Sequence, residues 1–301
     1  MIVKKTFDTI MTEEEFQNAK KIVQDALENN VTFIINVGTS YIESLNSIEL
    51  AKKFNSVYCA IGIHPNDATS NYKNELNELK KFLKYKENPG FRLRQGYDGQ
   101  VVCPGHQARQ TTPGSCRHDS HIKNHDFSAT ANKIVAIGEC GLDYHYPEYD
   151  KNLQYDAFKA QIEIALENDL ALVIHTRSAK DEVLKILSEY KNDKLRGTIH
   201  CFSEDLQFAQ DAIKLGFVLG IGGTITYPKN EILRNVLKTV GIENIILETD
   251  APYLSPQEIR GKVNTPAQIK NIAQFIADLL GKKFEEVSNT TTENVRRIFR
   301  F

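Results

Sequence analysis

The sequence predicts an α/β fold, a (β/α)8 TIM barrel whose first strand is atypical or missing. Short segments of branched apolar residues recur along the chain, and amphipathic segments separate them. This alternation implies parallel strands joined by right-handed crossovers, which occur in doubly wound sheets and in (β/α)8 barrels. The chain length favours the barrel, because removing one irregular segment from the 301 residues leaves the size of a single barrel.

Seven segments have the composition of strands that are buried on both faces of a parallel sheet. They are residues 31–38, 57–65, 134–143, 172–176, 197–202, 217–223 and 244–250. An eighth strand could come only from MIVKKTF at residues 1–7, whose apolar pattern is weak. We therefore expect the first strand of the barrel to be atypical or absent.

Helices are predicted between the strands wherever apolar residues recur at helical spacing. Residues 156–169 and 182–190 have this spacing, and so does NTPAQIKNIAQFIADLLG at residues 264–281. The last segment also carries a start signal, because Asn264 or Thr265 can cap a helix and Pro266 suits its first turn.

Residues 88–131 interrupt this alternation and are predicted to be a disordered insertion in a single domain that spans residues 1–301. The segment is rich in Gly, Pro, Ser, Thr and Arg and is far longer than an ordinary loop. Without it the chain has 257 residues, close to the roughly 250 of one barrel. Its cysteines and histidines, in CPGH and CRH, match no common structural zinc pattern, so a flexible loop is favoured over a zinc site.

The composition is that of an ordinary globular protein without a broad basic surface. Hydrophobic residues make up 41% of the chain and the formal net charge is −2, so contact with nucleic acid should be local, at phosphates. Five scattered cysteines and the polar start MIVKKTFD favour reduced thiols and a cytoplasmic location. No segment approaches the length of a membrane span, and we expect a monomer.

Histidines and carboxylates close several of the predicted strands. These residues are His64, Glu139 with Asp143 nearby, His175, His200 and Asp250. A single acid at a strand end could equally cap a helix. Five strands that end this way indicate a common site, because the carboxyl ends of barrel strands share one face. Imidazoles and carboxylates together form a ligand set for divalent metal ions, so Asp250 is predicted to be a metal ligand.

The chain resembles the TatD-type metal-dependent deoxyribonucleases, a family of amidohydrolase-like barrels. The resemblance covers nearly the whole chain outside residues 88–131 and the first dozen positions. It is carried by GIHPNDA (62–68), IGECGLDYH (137–145), VIHTR (173–177), IHCFSED (199–205), LGIGGTITYPKN (219–230), ETDAPYLSP (248–256), RGKVNTPAQI (260–269) and TTENVRRIF (291–299).

This resemblance implies the roles of the candidate site residues. The implied ligands of one or two divalent ions, Mg²⁺, Mn²⁺ or Zn²⁺, are Glu139, His175, His200 and Asp250. Glu139 would bridge two ions, and Glu139 and Asp250 are the implied catalytic residues. Such an ion activates a water for attack on a phosphodiester, and Asp250 can accept the proton of that water. His64 and Arg260 would contact substrate phosphate, Arg260 through both arms of its guanidinium group.

The sequence departs from the family at its amino terminus, where many members carry Asp-Thr-His-x-His on the first strand. The nearest alignment sets DTIMT (8–12) against this motif and places Ile10 and Thr12 at the two histidine positions. A chain that lacks the first strand fits nearly as well. We expect one ion to be held tightly and a second only weakly.

The substrate implied by the resemblance is DNA, as single strands or 3′ ends, cleaved from 3′ to 5′. Two other function classes stay open. An amidohydrolase that acts on a small amide or lactone would use the same ligands. A catalytically impaired homologue that binds metal or nucleic acid is the other, motivated by the missing histidine pair. Metal-dependent turnover of DNA distinguishes the three.

Overall fold

A computed structural model describes residues 9–87 and 132–301 of the chain. The predicted first strand in MIVKKTF and the predicted disordered insertion at 88–131, with its cysteines and histidines, lie outside these residues. Among the described helices, none is both long and apolar enough to cross a membrane.

The described residues contain one sheet of seven parallel strands that follow each other in chain order. The sheet curls into part of a barrel with helices around it, as the sequence predicts for a TIM-barrel fold with an atypical first strand. The strands are β1 (Ile34–Val37), β2 (Val57–Ile61), β3 (Ile134–Asp143), β4 (Ala171–Arg177), β5 (Gly197–Ile199), β6 (Phe217–Ile221) and β7 (Ile245–Leu247). All seven correspond to predicted strands.

Helices connect the strands, and two further helices follow the last strand. The described α-helices are α1 (Glu13–Glu28), α2 (Tyr41–Lys53), α3 (Tyr72–Glu87), α4 (Lys151–Glu167), α5 (Lys180–Glu189), α6 (Leu206–Lys214), α7 (Glu231–Val240), α8 (Ile269–Leu280) and α9 (Phe284–Phe299). The predicted helical segments correspond to α4, α5 and α8.

The strands separate two hydrophobic clusters because successive side chains of a strand point to opposite faces of the sheet. Leu172 and Ile174 of β4 pack in the larger cluster with the surrounding helices. Ala171 and Val173 belong to the smaller cluster, which also contains Phe299 of α9. His175 and Arg177 continue the alternation of Ala171 and Val173 and therefore lie on the same face of β4.

The predicted start of the α8 segment is correct in position, with Thr265 at the N-cap and Pro266 next to it, but neither Asn264 nor Thr265 caps it through a side-chain hydrogen bond. Pro266 opens a short 3₁₀ turn, Pro266–Gln268, and no side chain caps either this turn or α8. The amide of Asn264, only 2% exposed, instead donates to the carbonyl oxygens of Thr249 and Tyr253, both at 2.7 Å. The buried side chain of Asn264 thus joins two points of the loop after β7 and fixes its course.

The two positions aligned with the family's histidine pair do not lie on a strand. Thr12 is the N-cap of α1, where its hydroxyl accepts from the backbone N–H of Glu15 and the Glu15 carboxylate accepts from the backbone of Thr12. Ile10 lies in the preceding coil and is 44% exposed. Within the described residues, no strand precedes α1.

Candidate metal centre

The predicted site residues of five strands meet at the carboxyl ends of the sheet. Glu139 and His175 lie within β3 and β4, while His64, His200 and Asp250 follow β2, β5 and β7. Two groups of side chains could each hold an ion, because the ligand atoms within a group all lie within 4.8 Å of one another. One group is His64, Glu139 and His175, and the other is His200, Cys201 and Asp250.

Glu139 projects from an irregular point of β3. The ladder between β3 and β4 is interrupted between Ile137 and Cys140, and the Glu139 N–H donates to the carbonyl of Gly38, beyond the end of β1. Gly138 has φ 143°, and a Cβ there would lie 2.5 Å from the Val173 carbonyl oxygen. Only glycine fits this close approach to β4, which sets Glu139 level with the strand ends.

His175 lies between two carboxylates. Its Nδ1 is 3.0 Å from Oε1 of Glu139, and its Nε2 is 3.2 Å from Oδ2 of Asp143. Burial lowers the pKa of His175, but the hydrogen bonds to Asp143 and Glu139 outweigh it, so that the pKa lies above its usual value. The ring is therefore held from both sides.

Asp143 is a fixed partner rather than an exposed carboxylate. It is 2% exposed and accepts from the side chain of Asn66 and from the backbone N–H of His145. A carboxylate anchored in this way orients a ligand histidine, as in the carboxylate–histidine–metal arrangements of many proteins. Nδ1 of His175, which faces Glu139, is then the nitrogen available to an ion.

His64 is arranged as a hydrogen-bond donor toward Glu139. Its Nδ1 accepts the backbone N–H of Asn66 at 3.1 Å, so the neutral ring carries its proton on Nε2. That Nε2 lies 3.6 Å from Oε1 of Glu139. Although His64 is close enough to share an ion with Glu139 and His175, its proton placement suits a donor better than a metal ligand.

His200 also lies between two carboxylates. Oε2 of Glu248 is 2.9 Å from its Nδ1, and Oδ1 of Asp250 is 3.5 Å from its Nε2. The other oxygen of Glu248 accepts the backbone N–H of Cys201 at 2.6 Å. Because a carboxylate only accepts, Nδ1 of His200 carries a proton, and the neutral ring presents the Nε2 lone pair toward Asp250.

Glu248 fits only because its neighbour on β6 has no side chain. A Cβ on Gly220 would lie 2.1 Å from Oε2 of Glu248. Asp250 and Cys201 have left-handed backbone conformations, with φ 53° and 45°. These are uncommon for residues other than glycine and cluster at functional sites.

Glu139 interacts with histidines of both groups. Burial raises its pKa, but the charge of His200, the hydrogen bond to His175 and the charge of His64 outweigh burial and hold the pKa below its usual range. Glu139 in turn raises the pKa of His200 against the effect of burial. This central position suits a carboxylate that bridges two ions.

Two glutamines of α4 fix the backbone of the neighbouring strand ends. Gln154 accepts from the N–H of Asp143 and donates to its carbonyl, at 2.9 and 3.0 Å. Gln161, two turns further along the helix, does the same for Ile63, at 2.8 and 3.0 Å. Both are buried, so α4 positions Asp143 and the residue before His64.

Arg260 lies apart from these histidines and carboxylates, on the exposed loop after β7. Its guanidinium carbon is 4.4 Å from the ring centroid of Tyr227, and its Nη1 lies 3.5 Å from Oε1 of Gln257. Among the described residues, no hydrogen bond or ion pair joins it to Glu139 or Asp250. Its role as a phosphate contact stays a prediction.

Glu248 was not among the residues predicted from the sequence, and Asp143 was predicted only to lie near Glu139. The sequence Glu-Thr-Asp at residues 248–250 could have indicated Glu248. Residues two apart at a strand end point the same way, so Glu248 and Asp250 can reach one site. The donors of this centre fit a divalent ion. Imidazole nitrogens and carboxylate oxygens converge, and the negative charge of the carboxylates calls for a cation.

Comparison with known proteins agrees with the fold and identifies the family. The sequence profile of the family described as TatD related DNase matches residues 8–300. A Bacillus subtilis protein described as the uncharacterized metal-dependent hydrolase YabD is 29% identical over 297 residues, 98% of each chain. Escherichia coli YcfH, with the same description, is 38% identical over 171 residues, 57% of this chain and 64% of YcfH.

A solved structure has the same fold. The crystal structure of YjjV, a TatD homologue from Escherichia coli, superposes with a TM-score of 0.75 at 22% identity and covers 96% of this chain and 95% of YjjV.

Proposed function

We propose that this chain, which belongs to the TatD-related DNase family of metal-dependent hydrolases, cleaves DNA phosphodiester bonds, acting from 3′ to 5′ on single strands or 3′ ends. The observation that carries the proposal is that histidines and carboxylates from five strands form two candidate ion-binding groups, one with Glu139 and His175 and the other with His200 and Asp250. Such an arrangement suits one or two ions beside the same phosphate. The residues that would hold them are Glu139, His175, His200 and Asp250.

A divalent ion at this centre would supply an acidified water and neutralise charge on the phosphoryl oxygens. The chain's own groups do the rest. Asp250 accepts the proton of the attacking water, and Glu248 and Asp143 keep the two ligand rings oriented. His64 carries a proton on Nε2 and can donate it in a hydrogen bond to a phosphoryl oxygen. The guanidinium group of Arg260 can donate two parallel hydrogen bonds to two oxygens of a phosphate.

The mixture of nitrogen and oxygen donors bears on the identity of the ion. Imidazole suits Zn²⁺, while carboxylates also suit Mg²⁺ and Mn²⁺. With His175 and His200 supplying half of the proposed ligands, we expect Mn²⁺ or Zn²⁺ to bind more tightly than Mg²⁺.

DNA is proposed over a small amide because the groups around the centre donate to anions. His64 and Arg260 both offer N–H donors, and neither is needed for the ligands of the ion. An amide or lactone hydrolase would use the same carboxylates and histidines, and a binding homologue would keep them without turnover. The monomeric state and the cytoplasmic location remain predictions.

The test is hydrolysis of a single-stranded oligonucleotide, labelled at the 5′ or the 3′ end, with Mg²⁺, Mn²⁺ or Zn²⁺ and after chelation. We expect metal-dependent loss of nucleotides from the 3′ end, absent in His175→Ala, with the fold checked by circular dichroism. A panel of small amides and lactones is assayed in parallel. Turnover of the panel without DNA cleavage supports the amidohydrolase, and DNA binding without any turnover supports the binding homologue.

A further inference from the structure

Two exposed tyrosines lie on the loop that follows β3, beside the metal centre. Tyr146 is 39% and Tyr149 is 37% exposed, and their ring centroids are 6.1 Å apart with the planes at 82°. The loop leaves β3 at Asp143, which contacts His175. In a barrel, the loops at the carboxyl ends of the strands surround the active site.

Arg177 connects these rings to the centre. It ends β4, two residues after His175, so both side chains lie on the same face of the strand and Arg177 is one pleat nearer the barrel mouth. Its guanidinium carbon is 5.1 Å from the Tyr146 ring centroid, and Nη1 donates to the Tyr146 hydroxyl at 3.2 Å. The Tyr144 N–H donates to the Arg177 carbonyl and holds the loop against β4.

We propose that Arg177, Tyr146 and Tyr149, together named the tyrosine rim, form a nucleotide subsite for single-stranded DNA. Arg177 binds the phosphate next to the one at the metal centre, and the exposed face of a tyrosine ring stacks on the unpaired base of that nucleotide. Aromatic faces combined with a cation are the common means of binding single strands without sequence preference. The proposal rests on the proposed function.

The charges around the rim favour a phosphate at Arg177 and a base at the tyrosine rings. Glu148 lies between the two tyrosines and Asp150 caps α4, so the loop itself carries negative charge and disfavours a phosphate there. The phosphate is therefore assigned to Arg177, on the side of β4, and the uncharged base to the rings. A base can stack only if it is unpaired, so the rim should select single strands or frayed ends over a duplex.

The experiment measures binding of a fluorescein-labelled phosphorothioate dT oligonucleotide by anisotropy, with Mn²⁺ present, over a range of salt concentrations. Arg177→Ala should weaken binding about tenfold and lower the slope of log affinity against log salt by about 0.7, the value for one phosphate of a single strand. Arg297→Ala is the matched control, because this substitution removes the same charge far from the metal centre. Arg297 contacts the carbonyl of Glu243, which precedes β7 and so lies at the opposite end of the strands.

The stacking part is tested with Tyr146→Ala and Tyr146→Phe. Loss of the ring should weaken binding about fivefold to a hundredfold. Tyr146→Phe should bind almost as well as the unaltered protein, which a merely structural role of the hydroxyl bond to Arg177 would not allow. With an abasic oligonucleotide, the effect of Tyr146→Ala should disappear.

The outcomes separate this inference from the proposed function. If the unaltered protein cleaves and binds DNA but Arg177→Ala and Tyr146→Ala bind as tightly as Arg297→Ala, the tyrosine rim is wrong and the nuclease stands. An equal effect of Tyr146→Ala on abasic and base-containing strands overturns the stacking. If the unaltered protein neither binds nor cleaves DNA, the proposed function fails and the rim with it.

Discussion

Oε2 of Glu248 lies 2.9 Å from Nδ1 of His200 and so determines which nitrogen of that ring carries the proton. The backbone N–H of Cys201 holds the other carboxylate oxygen at 2.6 Å. A carboxylate accepts at both positions, which leaves Nε2 of the neutral ring free of a proton on the side of Asp250. The orientation and the tautomer of one proposed ligand thus depend on a residue outside the proposed ligand set.

Glu248→Gln should reverse this tautomer. The amide oxygen has to accept from Cys201, so the NH₂ group faces Nδ1 of His200 and donates to it, which moves the ring proton to Nε2. Ion affinity should fall about tenfold to a hundredfold, the usual effect of losing such a partner. The measurements are titration calorimetry with Mn²⁺ and ¹⁵N NMR of the histidine ring. An unchanged tautomer with unchanged affinity contradicts the assignment.

Substitution of His64 should lower activity without changing ion affinity, whereas substitution of Asp250 should lower both. His64→Ala should leave ion affinity within about twofold and lower kcat/KM about a hundredfold, as expected when one donor to a phosphoryl oxygen is lost. Asp250→Asn should weaken ion binding about tenfold or more and remove most of the activity. Calorimetry and steady-state kinetics of both variants decide this. Loss of ion affinity in His64→Ala would make His64 a ligand.

The second ion should bind weakly, and histidines at positions 10 and 12 should not restore it. Ile10→His with Thr12→His should leave the affinity for a second Mn²⁺ unchanged, because both positions precede α1 and lie outside the sheet. It should also lower the free energy of unfolding by about 1 kcal/mol through loss of the Thr12 cap. Calorimetry and urea unfolding test both points. Two equally tight sites in the unaltered chain would contradict the weak second ion.

Asp169 should contribute stability that is lost in acid. Burial raises its pKa, but the hydrogen bond and charge of Arg196 and the charge of Arg300 outweigh burial, so the folded pKa lies below the unfolded value. The contribution is therefore present above about pH 4, the unfolded pKa, and is lost as pH falls through the folded pKa.

Asp169→Asn isolates this effect, because asparagine also tolerates the left-handed conformation at this position, φ 49°. At pH 7 we expect the free energy of unfolding to fall by about 1 kcal/mol, a modest value because the carboxylate is nearly half exposed. The difference from the unaltered protein should vanish in strong acid. A constant difference across the pH range would rule out the ion pairs as its source.

Deletion of residues 88–131 should preserve the fold and the hydrolysis. Helix α3 already forms a complete crossover between β2 and β3, so the insertion is not needed to connect these strands. A protein with a short linker in its place should keep its thermal midpoint within a few degrees. Release of zinc on deletion, or a large loss of stability, would show that the insertion is structural.

The strands and the ligand types could be predicted from the sequence because both follow from local pattern and barrel topology. Branched apolar runs mark β1 to β7, and the carboxyl ends of such strands converge whatever their loops do. This alone brings Glu139, His175, His200 and Asp250 together.

Side-chain partners could not be predicted in the same way. The contact of Glu248 with His200 depends on the left-handed backbone at Cys201 and on the space beside Gly220, which no periodicity encodes. The failure at Asn264 has a similar cause. A helix start signal and a buried loop anchor use the same residue type, and only the carbonyls around Asn264 distinguish them.

Because several strands converge on one centre, an ion bound there would also stabilise the fold. Within the described residues β1 and β7 are the two edges of the sheet, and Asp250 follows the β7 edge while Glu139 belongs to β3. An ion held by both would cross-link β3 to the segment that follows β7 in the described sheet. By thermodynamic linkage, a concentration one hundred times the dissociation constant adds about 2.7 kcal/mol to folding. Ion binding at this centre would therefore raise the free energy of unfolding, so that metal supply would affect the stability of the protein as well as any activity.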